Sequence, residues 1–159
     1  MPNKIETIIC FLACAKNGII WSSCSPDFGA QGVVDRFKQI EPKVFITCDY
    51  YYYNGKKINI LDKVEKILKQ IPSIKKVIAF NYNKQERESL KNFINFEETL
   101  KNDLDEVFER FEFNHPIYIL FSSGTTGKPK CITHGSGNVL IEHNKAVSYT
   151  HLRAHETYP

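Results

Sequence analysis

The chain has 159 residues, of which 42% are hydrophobic and 25% are charged, as in an ordinary soluble globular protein. Its formal net charge is +3, and the basic residues are dispersed along the chain, which argues against a nucleic-acid-binding surface. The apolar stretches are only a few residues long, and the N-terminus lacks a basic-then-apolar pattern, so neither a membrane span nor a secretory signal is expected.

The cysteines favour a reducing compartment. Their number is odd and no two have Cys-x-x-Cys spacing, which argues against a disulfide framework and against a compact metal site. We therefore expect a cytoplasmic protein with free thiols at Cys10, Cys14, Cys24, Cys48 and Cys131.

The first segment has the pattern of an amphipathic helix. Asn3 and Glu6 have the spacing of a capping box, and Gly18 is a plausible C-terminal stop. Between them, apolar residues recur at helical spacing, which predicts one buried face made of Ile5, Ile8, Ile9, Leu12 and Ala13.

Strand and helix patterns then alternate. Short apolar runs predict strands over residues 19–21, 44–48 and 77–80, and amphipathic runs predict helices over residues 33–40 and 60–71. Four tyrosines at positions 50–53 precede Asn54-Gly55, a strong tight-turn signal. This run fits an edge strand or a stacking platform for a base. Residues 81–115 show no clear period and are expected to form peripheral helix and loop.

This alternation predicts an α/β fold: a partial parallel sheet with flanking helices. In such sheets, ligands bind beyond the carboxyl ends of the strands. The helix predicted near Gly135 and Gly137 would point its N-terminal dipole toward an anion bound there.

The most specific signal is an apolar run that ends in a loop of small polar residues. Ile117 to Phe121 read as a strand covered on both faces. Glycines in the loop let the backbone approach a ligand, hydroxyl groups donate hydrogen bonds, and lysines supply positive charge. We predict that ATP phosphates bind to Ser122, Ser123, Gly124, Thr125, Thr126, Gly127, Lys128 and Lys130.

The loop differs from a Walker A motif. That motif has four residues between its glycines and Ser or Thr after its lysine, whereas two residues separate Gly124 from Gly127 and Pro129 follows Lys128. An ordinary polar turn is the alternative, but it would not require so many hydroxyl, glycine and lysine residues directly after a strand.

The segment from Ser122 to Lys130 resembles the phosphate-loop signature of the adenylate-forming superfamily. The resemblance implies a fragment of the large N-terminal domain of such an enzyme, with ATP, Mg²⁺ and coenzyme A as substrates or cofactor and Thr126 near the metal. It also implies that no catalytic residue lies in this stretch. The adenine-binding, acid-binding and magnesium-binding segments and the catalytic lysine would lie elsewhere, so this stretch alone is expected to be inactive and unstable.

Upstream blocks narrow the resemblance to the branch that joins acetoacetate to coenzyme A. These blocks are residues 21–29, 32–37, 39–44 and 53–56, and the similarity extends over residues 1–146. By the same resemblance, Lys56 would contact the 3′-phosphate of coenzyme A, although a solvated turn lysine is the alternative. A ligase for another short acid and a non-catalytic nucleotide-binding module also remain open.

The last 13 residues read differently from the rest. Residues 147–157 match a translated sequencing adapter, so the expected organisation is a partial AMP-binding domain over residues 1–146 followed by a tail, residues 147–159, that is adapter read-through and not a domain. At the other end of the chain, Met1-Pro2-Asn3 resembles an internal segment of the family's longer proteins. His151 and His155 have the i, i+4 spacing of zinc ligands, but no third ligand is adjacent in the sequence.

Overall fold

The computed structural model describes residues 1–83, 93–100, 108–122 and 127–156, with side chains as far as residue 149. The helices are α1 (Ile5–Lys16), α2 (Ala30–Phe37), α3 (Leu61–Gln70), α4 (Phe96–Thr99) and α5 (Ser136–Glu156). The strands are β1 (Trp21–Ser22), β2 (Val44–Cys48), β3 (Tyr50–Tyr53), β4 (Lys56–Asn59), β5 (Lys76–Phe80), β6 (Ile94–Asn95), β7 (Pro116–Phe121) and β8 (Cys131–Gly135).

These strands form two three-stranded sheets and a hairpin. The first sheet has the order β1-β7-β8 and the second has the order β2-β5-β6, while β3 pairs with β4. Strand β1 is parallel to β7, and β5 is parallel to both β2 and β6. The α/β class and the flanking helices are therefore confirmed.

Two strand pairs are antiparallel, so the sheet structure is mixed and parallel only in part. Strand β8 runs antiparallel to β7, with Phe121 opposite Cys131. Only residues 122–130 connect these strands, and a parallel crossover needs a dozen or more residues. The tyrosine run forms the antiparallel hairpin β3-β4, whose turn at Asn54-Gly55 has positive φ at both residues, as the sequence predicts.

Helix α1 forms, and the sequence predicts its C-terminal end correctly but not its N-terminal cap. The capping box is wrong: Lys4 is the N-cap without a side-chain cap, and Glu6 is buried, at 3% exposure. The C-terminal stop is confirmed. Gly18 has φ +62°, and Ile19 N–H donates to the Cys14 carbonyl across 2.8 Å in a Schellman arrangement.

The predicted apolar face of α1 is not buried by the described residues. Its isoleucines and Leu12 are exposed, whereas Cys10 is buried. The helix instead contacts the first sheet through Phe11, whose ring centroid lies 6.3 Å from that of Trp21 and 6.2 Å from that of Tyr118. Helix α1 therefore packs through Cys10 and Phe11, and the regular apolar stripe beside them stays exposed.

The second sheet is covered by two apolar clusters. One unites α2 and α3 and contains Val33, Val34, Phe37, Ile67 and Ile71. The other contains Cys10, Cys48, Tyr51, Ile60, Phe80 and Phe96. Phe96 lies in the stretch that the sequence assigns to the periphery, yet it is only 4% exposed because α4 packs it onto β5. Within the described part of the chain, no helix is both long and apolar enough to cross a membrane.

Candidate phosphate-binding site

Strand β7 delivers the chain to the predicted loop. The strand exists at the predicted position, but it is half-buried, with Leu120 exposed at 44%, so the described residues do not cover both of its faces. Ser22 Oγ donates to the Ile119 carbonyl across 2.8 Å, which fastens β7 to β1. The loop therefore starts from a strand held on both edges, by β1 and by β8.

The base of the loop is closed by a backbone hydrogen bond. Ser122 N–H donates to the Lys130 carbonyl across 3.1 Å, so the two ends of the loop lie side by side. The predicted site residues Ser123, Gly124, Thr125 and Thr126 lie outside the described residues.

The returning limb of the loop is open to solvent. Gly127 has φ +145°, a conformation that favours glycine, and a Cβ atom added there would meet nothing within 4 Å. Lys128 and Lys130 are both exposed. An uncrowded backbone beside two accessible ammonium groups can accept an oxyanion, which agrees with the chemistry that the sequence predicts.

Gln39, just after α2, holds the same limb in place. Its Nε2 atom donates to the Pro129 carbonyl across 3.0 Å, and its Oε1 atom lies 3.7 Å from the Cys131 thiol. Beneath the loop, the Phe121 ring packs against Phe37 of α2, with centroids 6.4 Å apart. No local sequence pattern marks the contact between Gln39 and Pro129, since 90 residues separate them.

A second loop, after β1, begins at the same end of the first sheet as the loop at Ser122. Because β1 and β7 are parallel, the segment after Ser22 begins at the end of the sheet from which Ser122 departs. Lys63 of α3 fixes this segment through Nζ hydrogen bonds to the carbonyls of Pro26 and Phe28. Burial lowers the pKa of Lys63. The Arg36 guanidinium lies 4.4 Å from the centroid of the Phe28 ring.

The N-terminus of α5 does not contribute to this site. Strand β8 carries the chain from Cys131, opposite Phe121, to Gly135, opposite Pro116, so α5 starts at the far end of β7. Its first amide groups are also occupied: Ser136 N–H donates to the His115 carbonyl and Gly137 N–H to the Phe113 carbonyl, each across 2.9 Å. The predicted dipole contribution is wrong, because a whole strand separates the loop from the helix.

Lys56 lies on the β3-β4 hairpin. It is exposed and pairs with Tyr53 across the Asn54-Gly55 turn. Among the described residues, no hydrogen bond or ring contact joins it to the loop at Ser122–Lys130. The neighbouring tyrosines favour the edge-strand interpretation, since Tyr50 and Tyr51 are buried in the protein interior.

The metal assignment rests on one residue. In the ranges that the structure describes, no group of three or more His, Cys, Asp or Glu side chains could hold a metal ion. Thr126, the predicted Mg²⁺ neighbour, lies outside those ranges. The exposed lysines and open backbone at Gly127 suit a polyphosphate, and Mg²⁺ bound to ATP would reach the loop with its phosphates.

Comparison with known proteins decides the family. A sequence model of the family described as AMP-binding enzyme matches residues 1–158. The chain belongs to this family. Its AMP-binding relatives include acetoacetyl-coenzyme A synthetase of Rhizobium meliloti, which is 47% identical over 151 residues, and acetoacetyl-CoA synthetase of Macaca fascicularis, which is 40% identical over 154 residues. Each alignment covers 91% of this chain and 23% of the relative.

A solved structure of a similar protein has the same fold. Acetoacetyl-CoA synthetase from Streptomyces lividans superposes with a TM-score of 0.84 at 38% sequence identity, over 90% of this chain and 22% of that protein. The chain thus spans less than a quarter of the length of these relatives. The family match over residues 1–158 includes the segment in which β7 runs into the loop at Ser122.

Proposed function

We propose that this chain is a segment of an ATP-dependent ligase that joins acetoacetate to coenzyme A. The observation that carries the proposal is the loop from Ser122 to Lys130, which combines an open glycine backbone with two exposed lysines at the end of β7. The three relatives named above all carry the name acetoacetyl-CoA synthetase and support the choice of acid.

The proposed chemistry has two steps. A carboxylate oxygen of acetoacetate attacks the α-phosphorus of ATP, and pyrophosphate leaves, which gives an acyl-adenylate. The thiol sulfur of coenzyme A then attacks the acyl carbon, its proton is lost to a base or water, and AMP leaves with the bond-pair electrons. The first step builds negative charge on the phosphates, so positioned donors and cations accelerate it.

In this chemistry the described residues bind and orient ATP. Lys128 and Lys130 neutralise charge on the phosphates, and the Gly127 backbone lets them approach closely. Mg²⁺, when bound, supplies further charge neutralisation, and Thr126 is the residue proposed to lie beside it. The groups that carry out bond-making are assigned to other parts of the enzyme.

The loop assignment is tested with Thr126→Ala in the full-length protein. Loss of one donor aimed at developing charge typically costs about 100- to 1000-fold in rate. Acetoacetate-dependent exchange of radiolabelled pyrophosphate into ATP measures the first step alone. Thr133→Ala, which truncates an exposed threonine on β8, is the matched control and should exchange at the wild-type rate. Wild-type exchange in Thr126→Ala would contradict the assignment.

The coenzyme A assignment of Lys56 has its own test. Wild-type enzyme should use coenzyme A better than its 3′-dephosphorylated form, and Lys56→Ala should lose that preference because the ammonium no longer meets the phosphate. Lys69→Ala, which removes an exposed lysine from α3, is the control. Undiminished discrimination in Lys56→Ala would leave Lys56 as a solvated turn residue.

Two alternatives remain within the reach of experiment. A ligase for another short acid would exchange pyrophosphate with that acid and not with acetoacetate, while a non-catalytic nucleotide-binding module would bind ATP without exchange. A cytoplasmic location is also part of the proposal, since all five cysteines are free, as a reducing compartment would keep them.

A further inference from the structure

The second sheet has a carboxyl edge of its own. Its strands β2, β5 and β6 are parallel, so their carboxyl ends meet at one edge of the sheet. Ligands of parallel sheets bind beyond that edge. Tyr50 follows the last residue of β2 by two positions, and Tyr82 and Asn83 follow the last residue of β5 by two and three. Aromatic and amide side chains thus lie where such a sheet can bind a small molecule.

The carboxylate of Asp49 holds the two segments side by side. Its Oδ1 atom accepts hydrogen bonds from the backbone N–H of Tyr50 across 2.7 Å and of Tyr82 across 2.8 Å. The rings of Tyr50, Tyr52 and Tyr82 contact one another, with centroids 5.3 to 5.8 Å apart in the three pairs. These three rings form a preorganised aromatic wall.

A cavity of about 540 Å³ lies against the aromatic wall. Its lining is completed by Asn83 and by the start of α1, through Lys4, Ile5 and Glu6. Tyr52 is 50% exposed and Ile5 is 61% exposed, so a ligand can reach both side chains. The volume is in the range of small-molecule sites, which combine apolar surface with a few polar groups.

The cavity contains a buried carboxylate with an unsatisfied oxygen. Glu6 is only 3% exposed, and its Oε2 atom has no hydrogen-bond partner among the described residues. A carboxylate that is removed from water without a partner raises the free energy of the protein. A ligand that brings a cationic N–H donor to this oxygen recovers that free energy. The carboxylate of Glu6 therefore indicates an ammonium group in the ligand.

Lys4 places a positive charge in the same cavity. Its Nζ atom lies 4.4 Å from the centroid of the Tyr82 ring and donates to the Tyr82 carbonyl across 2.6 Å. An ammonium group has three N–H donors, so Lys4 keeps donors for an anionic group. One cavity thus contains both a cation and an anion of the protein.

The cavity lies on the opposite face of the β3-β4 hairpin from Lys56. Lys56 pairs with Tyr53, whereas Tyr50 and Tyr52 alternate with it and point to the other face. Lys57, which pairs with Tyr52, lies on the cavity face, with its Nζ atom 3.8 Å from the centroid of the Tyr50 ring. The cavity is therefore separate from the coenzyme A contact proposed for Lys56.

We propose that this cavity binds a small zwitterion of the amino-acid type with an aromatic or branched aliphatic side chain. The ligand's ammonium group donates to Glu6 Oε2, its carboxylate accepts from Lys4 Nζ, and its side chain packs on Tyr52 and Ile5. A simple cation would leave Lys4 beside a like charge, and a simple anion would leave Glu6 without a partner. A zwitterion satisfies both groups, and this binding does not depend on the proposed ligase activity.

The test is isothermal titration of the full-length protein, without ATP or coenzyme A. The probes are L-phenylalanine and L-leucine, with phenethylamine, which lacks the carboxylate, and 3-phenylpropionate, which lacks the ammonium group. L-Phenylalanine should bind about tenfold or more tightly than either single-charge analogue, because each analogue forfeits one charged hydrogen bond. Coenzyme A should not displace it.

Two variants separate the charged contacts from the fold. Glu6→Gln keeps the shape of the side chain and should weaken binding of L-phenylalanine by about tenfold or more. Lys4→Met should weaken L-phenylalanine by a similar factor but leave phenethylamine bound at least as tightly as by wild type, an outcome that a general loss of structure would not give. Glu65→Gln, at an exposed residue of α3, is the control and should bind as wild type does. Circular dichroism melts confirm that each variant is folded before titration.

Four results would overturn the proposal. One is the absence of binding of both amino acids at millimolar concentration. Another is equal affinity for L-phenylalanine and either single-charge analogue, which would remove the zwitterion. A third is unchanged affinity in Glu6→Gln or in Lys4→Met. The last is displacement by coenzyme A, which would assign the bound amino acid to the coenzyme site.

Discussion

Replacement of Gly127 by valine tests whether the ATP phosphates approach the backbone at this residue, because the substitution creates no collision that would by itself destabilise the protein. The residue has φ +145°, and an added Cβ would meet no protein atom within 4 Å, so valine creates no collision inside the protein. The change must act through the backbone conformation, at about 1–3 kcal/mol, or through collision with a ligand. If the phosphates approach this backbone, we expect acetoacetate-dependent pyrophosphate exchange to fall by about 100-fold or more, comparable with the loss of a transition-state donor.

Gly55 provides the matched control. It also has positive φ, at +73°, and an added Cβ would likewise meet nothing within 4 Å, but it lies on the β3-β4 turn. Gly55→Val should cost about 1–2 kcal/mol of stability through backbone strain. Its exchange rate should stay near wild type, measured at a temperature where both variants are folded. Equal loss of exchange in the two variants, or none in Gly127→Val, would refute close phosphate approach at Gly127.

Three further predictions concern the scaffold. Gly18→Ala should lower the melting temperature of the full-length protein, because positive φ costs about 1–2 kcal/mol and the new Cβ would lie 2.4 Å from the Phe111 ring; an unchanged melting temperature contradicts this. Gln39→Ala should raise the KM for ATP more than it lowers stability, since the amide holds the loop at Pro129; unchanged ATP kinetics would exclude that role. Burial raises the pKa of the Cys48 thiol from 9.0 to about 12, so the unfolded state loses this proton first and stability should fall as pH rises from 9 toward 12, by at most about 1.4 kcal/mol per pH unit. Cys48→Ala should flatten that slope in urea titrations, and a slope unchanged by this substitution would contradict it.

Local patterns predicted most of the elements. Alternation of short apolar runs with amphipathic runs placed β2 at its observed bounds and α3 within one residue of them. The Asn54-Gly55 turn and the Gly18 stop followed from backbone conformations that few residues adopt easily. These features depend on neighbours within a few positions, which is why a single sequence reveals them.

Contacts between distant segments were not predictable in the same way. Gln39 reaches Pro129 across 90 residues, and no local pattern marks that pairing. Helical spacing identified the apolar stripe of α1 but not which side of the helix would pack. Phe11 contacts the first sheet and Cys10 packs in a cluster on the second, and neither contact is marked in the local sequence. The position of the α5 N-terminus depended on β8, whose exposed residues hid the strand pattern.

The sequence predicted the chemical groups of the candidate site better than their arrangement in space. The hydroxyl, glycine and lysine content of the loop pointed to phosphate before any fold was known. The closure between Ser122 and Lys130, and the support from α2, required the structure because they depend on the antiparallel return of β8.

The most direct measurement is pyrophosphate exchange by the wild-type full-length protein with a panel of acids. Acetoacetate, acetate, butyrate and a branched short acid are compared at equal concentration, with ATP and Mg²⁺ present. The proposed function predicts the highest kcat/KM with acetoacetate and, on addition of coenzyme A, formation of acetoacetyl-CoA with AMP. Exchange that prefers another acid would contradict the assigned substrate, and ATP binding without exchange for any acid would contradict the ligase itself.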